Sequence, residues 1–178
     1  MIPGLITVLS YFHPDIGASS SGDDYVYSNL VWQDPEQAIP EAQLLAEQIE
    51  LTKIYKKQEL NDFVTNRLEN DGMWYQTHHF ETSIHKRSIY TLVATSLIAN
   101  GNVGNFNGCF DMNYNFVSMD YAAFIAFTTQ MANYITGLCA WQISSNIAID
   151  ATTTAADADN YDYLSSMPTN DTDGTGPV

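Results

Sequence analysis

FIAFTTQMANYITGLCAW, residues 124–141, carries two interleaved series of side chains that recur every seven residues. Phe124, Met131, Leu138 and Ser145 form one series, and Phe127, Tyr134, Trp141 and Ala148 form the other. Steps of three and four residues bring both onto one side of an α-helix, which stacks them into a single apolar stripe. Ser118 or Asp120 can cap this helix at its start. Two readings follow for Phe124, Phe127, Met131, Tyr134, Leu138 and Trp141. They are either the main core seam, packed on a preceding helix and hairpin, or a seam of self-association. Large aromatic rings fit poorly in a narrow coiled coil, which favours the core.

Upstream the period changes several times. Phe106 to Phe110 and Asn115 to Ser118 flank Asp111-Met-Asn-Tyr114, a β-hairpin pattern. Ser83 can cap a helix over 84–99 that stops at Asn100-Gly101, and Trp74 to Phe80 reads as a short hairpin-like element. Before it, Ile39-Pro40-Glu41 opens a long stretch of helix formers that ends at Asn70-Asp71-Gly72. That helix has an apolar patch at Leu45 and Ile49 and another at Leu60, Phe63, Val64 and Leu68. Lys56-Lys57-Gln58-Glu59 between them is polar, so the predicted helix packs at its two ends, against this chain or a neighbouring subunit, and projects or bridges between two contacts.

The first 35 residues hold two strand-like runs. Tyr25 to Trp32 is rich in β-branched and aromatic residues and closes at Asp34-Pro35. Leu5, Ile6, Val8 and Leu9 lie in a short apolar run set off by Pro3, Pro14 and the loop from Gly17 to Gly22. The run reads as a β arm, either adding to a sheet edge on another chain or forming the first strand of this chain's own sheet. After Ala151 the chain turns to Thr, Ala, Asp, Asn and Gly without a single base, a composition that builds no core of its own. The predicted organisation is α+β: a β arm and linker (1–35), a long helix (36–71), a compact helix/β-hairpin/helix module (72–151) and an extended acidic tail (152–178).

Bulk composition narrows the function. A chain of 178 residues, 45% of them apolar, supports one modest core. Its formal charge is −15, and all six bases fall between Lys53 and Arg87, where the densest group is interleaved with Glu50 and Glu59. A surface for phosphates needs clustered Lys and Arg, so nucleic acid is not an expected partner. No apolar run reaches the roughly 20 residues of a spanning helix, and Met1 to Phe12 lacks the basic start and cleavage site of a secretory signal.

Few residues suggest chemistry. His78, His79 and His85 with Glu81 are the one cluster of metal-ligand types, but in a strand His78 and His79 face opposite ways. Gly101-Asn-Val-Gly104 is too short for a phosphate loop. No nucleophile, metal or cofactor is expected. Cys109 and Cys139 are either two buried thiols acting as small hydrophobes or candidates for a disulfide.

The succession DGMWYQTHHFETSIHKRSI (71–89), its helix, the hairpin, Val117-Ser-Met-Asp120 and the closing helix into Ala148-Ile-Asp-Ala151 resembles a domain of uncharacterised function found in tailed-bacteriophage tail proteins. His79-Phe80-Glu81-Thr82, Ser88-Ile89 and the Ala-Ile-Asp-Ala end carry the likeness, which covers a little under half the chain. This sequence departs from the pattern at Thr77, where a turn glycine is usual, and at Glu81, where Asp is usual. The segment Tyr27 to Asp34, followed by Pro40 and a helix, also looks like the start of many small tail proteins. The resemblance implies a virion protein made in the host cytoplasm, a structural part of the tail near the fibre or baseplate. Its partners are then other tail proteins, in a homo- or hetero-oligomer. A tail-fibre assembly chaperone is the alternative, and a small metal- or sugar-binding enzyme a distant one. The candidate partner contacts are Leu5, Ile6, Val8, Leu9, Leu45, Ile49, Tyr161, Tyr163 and Leu164.

Overall fold

A computed structural model describes residues 1–101 and 103–168, with positions 108 and 109 described as backbone alone. The elements are helix α1 (Leu5–Phe12), strands β1 (Ala18–Ser20) and β2 (Leu30–Trp32), helix α2 (Glu41–Asn66), strands β3 (Met73–Tyr75) and β4 (His78–Phe80), helix α3 (Ile84–Ala99), strands β5 (Asn105–Phe110) and β6 (Phe116–Asp120), and helices α4 (Tyr121–Asp150) and α5 (Ala155–Asp159). The α+β class is as expected, and the strands form three antiparallel pairs, β1–β2, β3–β4 and β5–β6. Two compact units divide the chain: one is Met1–Leu60 with Ser144–Tyr163, the other Asn61–Ile143 with the described residues from Leu164 on. The boundaries between these units fall within α2 and α4, each of which contributes residues to both.

In the first unit, the expected β arm is a helix. Leu5, Val8, Leu9 and Phe12 recur at steps of three and four, and the apolar run by itself is compatible with either period. Burial settles the choice over the β-branched Ile6, Thr7 and Val8. Leu5, Val8 and Leu9 are buried in one cluster with Leu30, Leu44 and Leu51, and Ile6 and Phe12 pack partly buried against it. These residues are therefore their own unit's core and not an arm for another chain. Two remote hydrogen bonds fix the helix start: Leu5 N donates to Asp24 O at 2.8 Å, and Gln48 Nε2 donates to Pro3 O at 2.7 Å. The expected strand over Tyr25 to Trp32 shortens to Leu30–Trp32, since Tyr27–Asn29 forms a 3₁₀ turn.

Helix α2 buries Leu44, Leu51 and Leu60, whereas Leu45 is exposed and Ile49 half-buried. Its polar middle does not project. Lys57 Nζ pairs with Asp150 at 2.7 Å, Tyr163 Oη donates to Glu59 at 2.8 Å, and Lys56 Nζ sits 5.1 Å from the centre of the Tyr163 ring. The start of the predicted extended tail is accordingly folded: Thr154 Oγ1 caps α5 by accepting from Asp157 N, and Ala158 and Tyr163 are buried. Residues 169–178 of that predicted tail lie outside the described residues. A segment too poor in apolar residues for a core can still fold by laying one aromatic ring over lysine stems.

In the second unit, the 124/127/131/134/138/141 stripe is the core seam: all six side chains are buried. Phe127 lies 5.4 Å from Tyr75, 4.6 Å from Phe80 and 5.2 Å from Tyr90, centre to centre, and Phe106 lies 4.6 Å from Phe124. A self-association role for this stripe is excluded by its burial within the chain. Below it, α2 widens into a π-helical turn at Arg67–Asp71, and Thr82 Oγ1 donates to the Leu68 carbonyl at 2.8 Å. Gly72 then reverses the chain at φ +69°, where a Cβ would stand 2.4 Å from the Phe80 carbonyl oxygen, so only glycine fits. Ser83 caps α3 and Asp120 caps α4, each accepting from a backbone N–H three residues on. In β6, Val117 and Met119 point inward and alternate with exposed Phe116 and Ser118.

Phe127→Ala should lower unfolding free energy by about 3–5 kcal/mol, read from urea denaturation. Burial first, and then the hydrogen bond to Glu59, push the Tyr163 hydroxyl up to about 12 from 10.0. A raised pKa stabilises the fold below pH 10 and loses that contribution as pH climbs toward 12. Tyr163→Phe should therefore remove part of the alkaline fall in melting temperature between these limits.

Candidate functional site

Helix α3 has apolar residues on every side. Tyr90 is buried and Val93, Ala94 and Leu97 are half-buried, yet Ile84, Ile89, Leu92 and Ile98 are exposed, Leu92 to 71%. A helix apolar all round normally lies inside a structure. Here its outward half meets solvent as an exposed apolar surface. Ile84, Ser88, Thr91, Leu92 and Thr95, with Arg87 at the edge, line a shallow groove along it. Arg87 itself donates to Glu69 at 3.2 Å, so its charge is paired within the chain.

The β5–β6 hairpin adds aromatic surface. Phe110 pairs across the strands with Phe116, their rings 5.7 Å apart and edge to face, and both are exposed. Tyr114 at the tip is 87% exposed and takes φ +62°. Asp111 holds this conformation. Its carboxylate, 2% exposed, accepts from Asn113 N and Asn115 N at 2.9 Å, from Asn115 Nδ2 at 3.0 Å, and lies 3.1 Å from His78 Nδ1. Met112 N donates to the His79 carbonyl at 2.6 Å and fastens the turn to β4. Burial alone raises the Asp111 pKa, but the hydrogen bonds from Asn115, His78 and Asn113 outweigh it and hold the carboxyl near 2.

Beside the turn lies an open cavity of about 270 Å³ lined by Glu69, Asn70, Glu81, Lys86, Phe110 and Tyr114. Its polar groups have partners within the chain: Glu69 holds Arg87 and the Ile84 N–H, Asn70 donates to Asn66, and Glu81 accepts from the Ser83 hydroxyl. The histidine cluster is dispersed. His78 faces Asp111, His79 stacks on Trp74 with ring centres 4.8 Å apart, and His85 is exposed on α3. Among the described residues, no group of three or more His, Cys, Asp or Glu side chains is placed to hold a metal ion.

Of the other predicted site residues, Tyr161 is half-buried, Tyr163 buried and Leu164 exposed. Cys139 is an exposed free thiol, not a buried one, and the Cys109 side chain lies outside the described residues. Hydrophobic period passes over the α3 face, because it reports apolar residues without saying which side meets water. Charge would have located it. From Arg87 to Asp150 the sequence holds only two ionised side chains between them, Asp111 and Asp120, in a chain of net charge −15.

Comparison with protein-family models, with curated proteins and with solved structures returns no match.

Asp111→Asn should cost about 1–3 kcal/mol at neutral pH by replacing one acceptor oxygen with a donor. Because the Asp111 pKa is depressed, the wild-type advantage is full above the ordinary value of 3.8 and fades as pH falls through about 2. Urea titrations of both proteins from neutral pH to pH 2 measure this difference.

Proposed function

We propose that this protein is a structural part of a bacteriophage tail, near the fibre or baseplate, that acts by assembling with other proteins. The exposed α3 face, free of acidic residues and with its one groove-edge base, Arg87, paired with Glu69, supports an assembly role. A large apolar surface on a chain this acidic is costly to leave in water, and a bound neighbour removes that cost. The tail setting comes from the resemblance carried by His79-Phe80-Glu81-Thr82, Ser88-Ile89 and Ala148-Ile-Asp-Ala151. The buried carboxylate Asp111 has a conformational task, since its oxygens are occupied by the donors that shape the hairpin tip.

Mass spectrometry of particles purified from the phage that encodes the chain should find it at a fixed copy number per particle. Absence from particles, with misassembled fibres when the gene is deleted, would assign it to chaperoning instead.

A further inference from the structure

The α3 face has a symmetry that points to its occupant. Ile84, Ser88, Thr91, Leu92, Thr95 and Ile98 follow one another along it, with Ile84 and Ile98 each seven residues from Thr91. Seven residues are about two helical turns, so these positions share one side. Read from either end, the order is a bulky isoleucine, a small hydroxyl residue, the Thr91–Leu92 centre, a small hydroxyl residue and a bulky isoleucine. A second α3 laid antiparallel on the first, with the axis between Thr91 and Leu92, would set Ser88 against Thr95 and Thr91 against Leu92, and bring Ile84 within one residue of facing Ile98. Self-complementarity of this kind is what a two-fold contact requires of one patch.

The relief and the charge agree with that pairing. Ser88, Thr91 and Thr95 leave a groove between the bulkier Ile84 and Leu92, and a leucine from an opposing helix fits such a gap as a knob between ridges. A partner recognised by its bases would need carboxylates to meet, and α3 carries no acidic residue at all. Two copies of a chain with net charge −15 repel each other over most of their surface, so they meet most closely where acidic charge is missing; the two bases of α3, Lys86 and Arg87, are paired with Glu81 and Glu69 of the same chain.

We infer that two copies of this chain pair through α3, antiparallel across a two-fold axis, with Leu92 at its centre. This rests on the reading of the protein as an assembly component and names the chain itself as one of its partners.

Analytical ultracentrifugation of the full chain tests it. A concentration-dependent dimer is expected, and it should tighten as salt rises from about 50 to about 500 mM, because screening weakens the repulsion between like-charged copies. Leu92→Glu should weaken the dimer at least about tenfold by placing carboxylates at the axis, while circular dichroism, and melting at concentrations where both proteins are monomeric, stay unchanged because Leu92 is at the surface. Thr91→Arg, which sets like charges of the other sign there, should do the same. L92E mixed with L92K should restore a dimer that neither forms alone. A chain that stays monomeric at every salt concentration overturns the inference. So does a dimer that salt weakens, or one that L92E leaves as tight as before. A monomer still found in purified particles at fixed copy number would remove this pairing and leave the assembly role standing. A salt-tightened, L92E-sensitive dimer of a chain absent from particles would support the pairing and remove the structural-part reading.

Discussion

Phe127 is where three earlier elements meet the last long helix: Tyr75 from β3, Phe80 from β4 and Tyr90 from α3 all bring their rings to it. Two-stranded hairpins and single helices are marginal alone in water, so these elements depend on such shared contacts to persist. The other features of the second unit serve it. Gly72 turns the chain tightly enough for Phe80 to reach the ring, and Ser83 starts α3 with Tyr90 on the correct side. The inward Val117 and Met119 of β6 complete the apolar layer that α4 closes.

Much of this unit was legible in the sequence because pattern and punctuation agree there. The seven-residue stripe, the caps at Ser83 and Asp120 and the stops at Gly72 and Gly101 all name the same boundaries. The first unit was harder to read. Five adjacent residues, Leu5 to Leu9, carry no decisive period, and their burial depends on Leu30, Leu44 and Leu51, which lie far along the chain. The segment after Ala151 was harder still, because its anchoring comes from a phenol on Glu59 and a lysine beneath a ring, contacts that hydropathy does not register. The candidate surface was visible only as a gap in charge, which period analysis ignores.

Two kinds of exposed apolar surface coexist in the second unit. On α3 it is formed by a regular helix whose backbone is internally bonded, so its shape is set without help from a ligand. At the hairpin tip it depends on one carboxylate: Phe110, Tyr114 and Phe116 stand out because Asp111 has gathered the Asn113 and Asn115 donors beneath them. The second surface therefore loosens when acid titrates that carboxylate.

The first unit is closed by residues remote from its start. Lys57 finds Asp150 across 93 positions, and Glu59 finds Tyr163 across 104. On a ribosome, the α1 and β2 cluster can gather as soon as α2 emerges, but the Lys56, Lys57 and Glu59 flank of α2 stays open to water until the chain has been made as far as Tyr163. By then all of Asn61–Ile143 has been synthesised, so the second unit has its residues before the first is sealed. The unit that begins the chain is thus the last to be finished, and a nascent polypeptide halted just short of Tyr163 presents a folded interior with an unlatched helix.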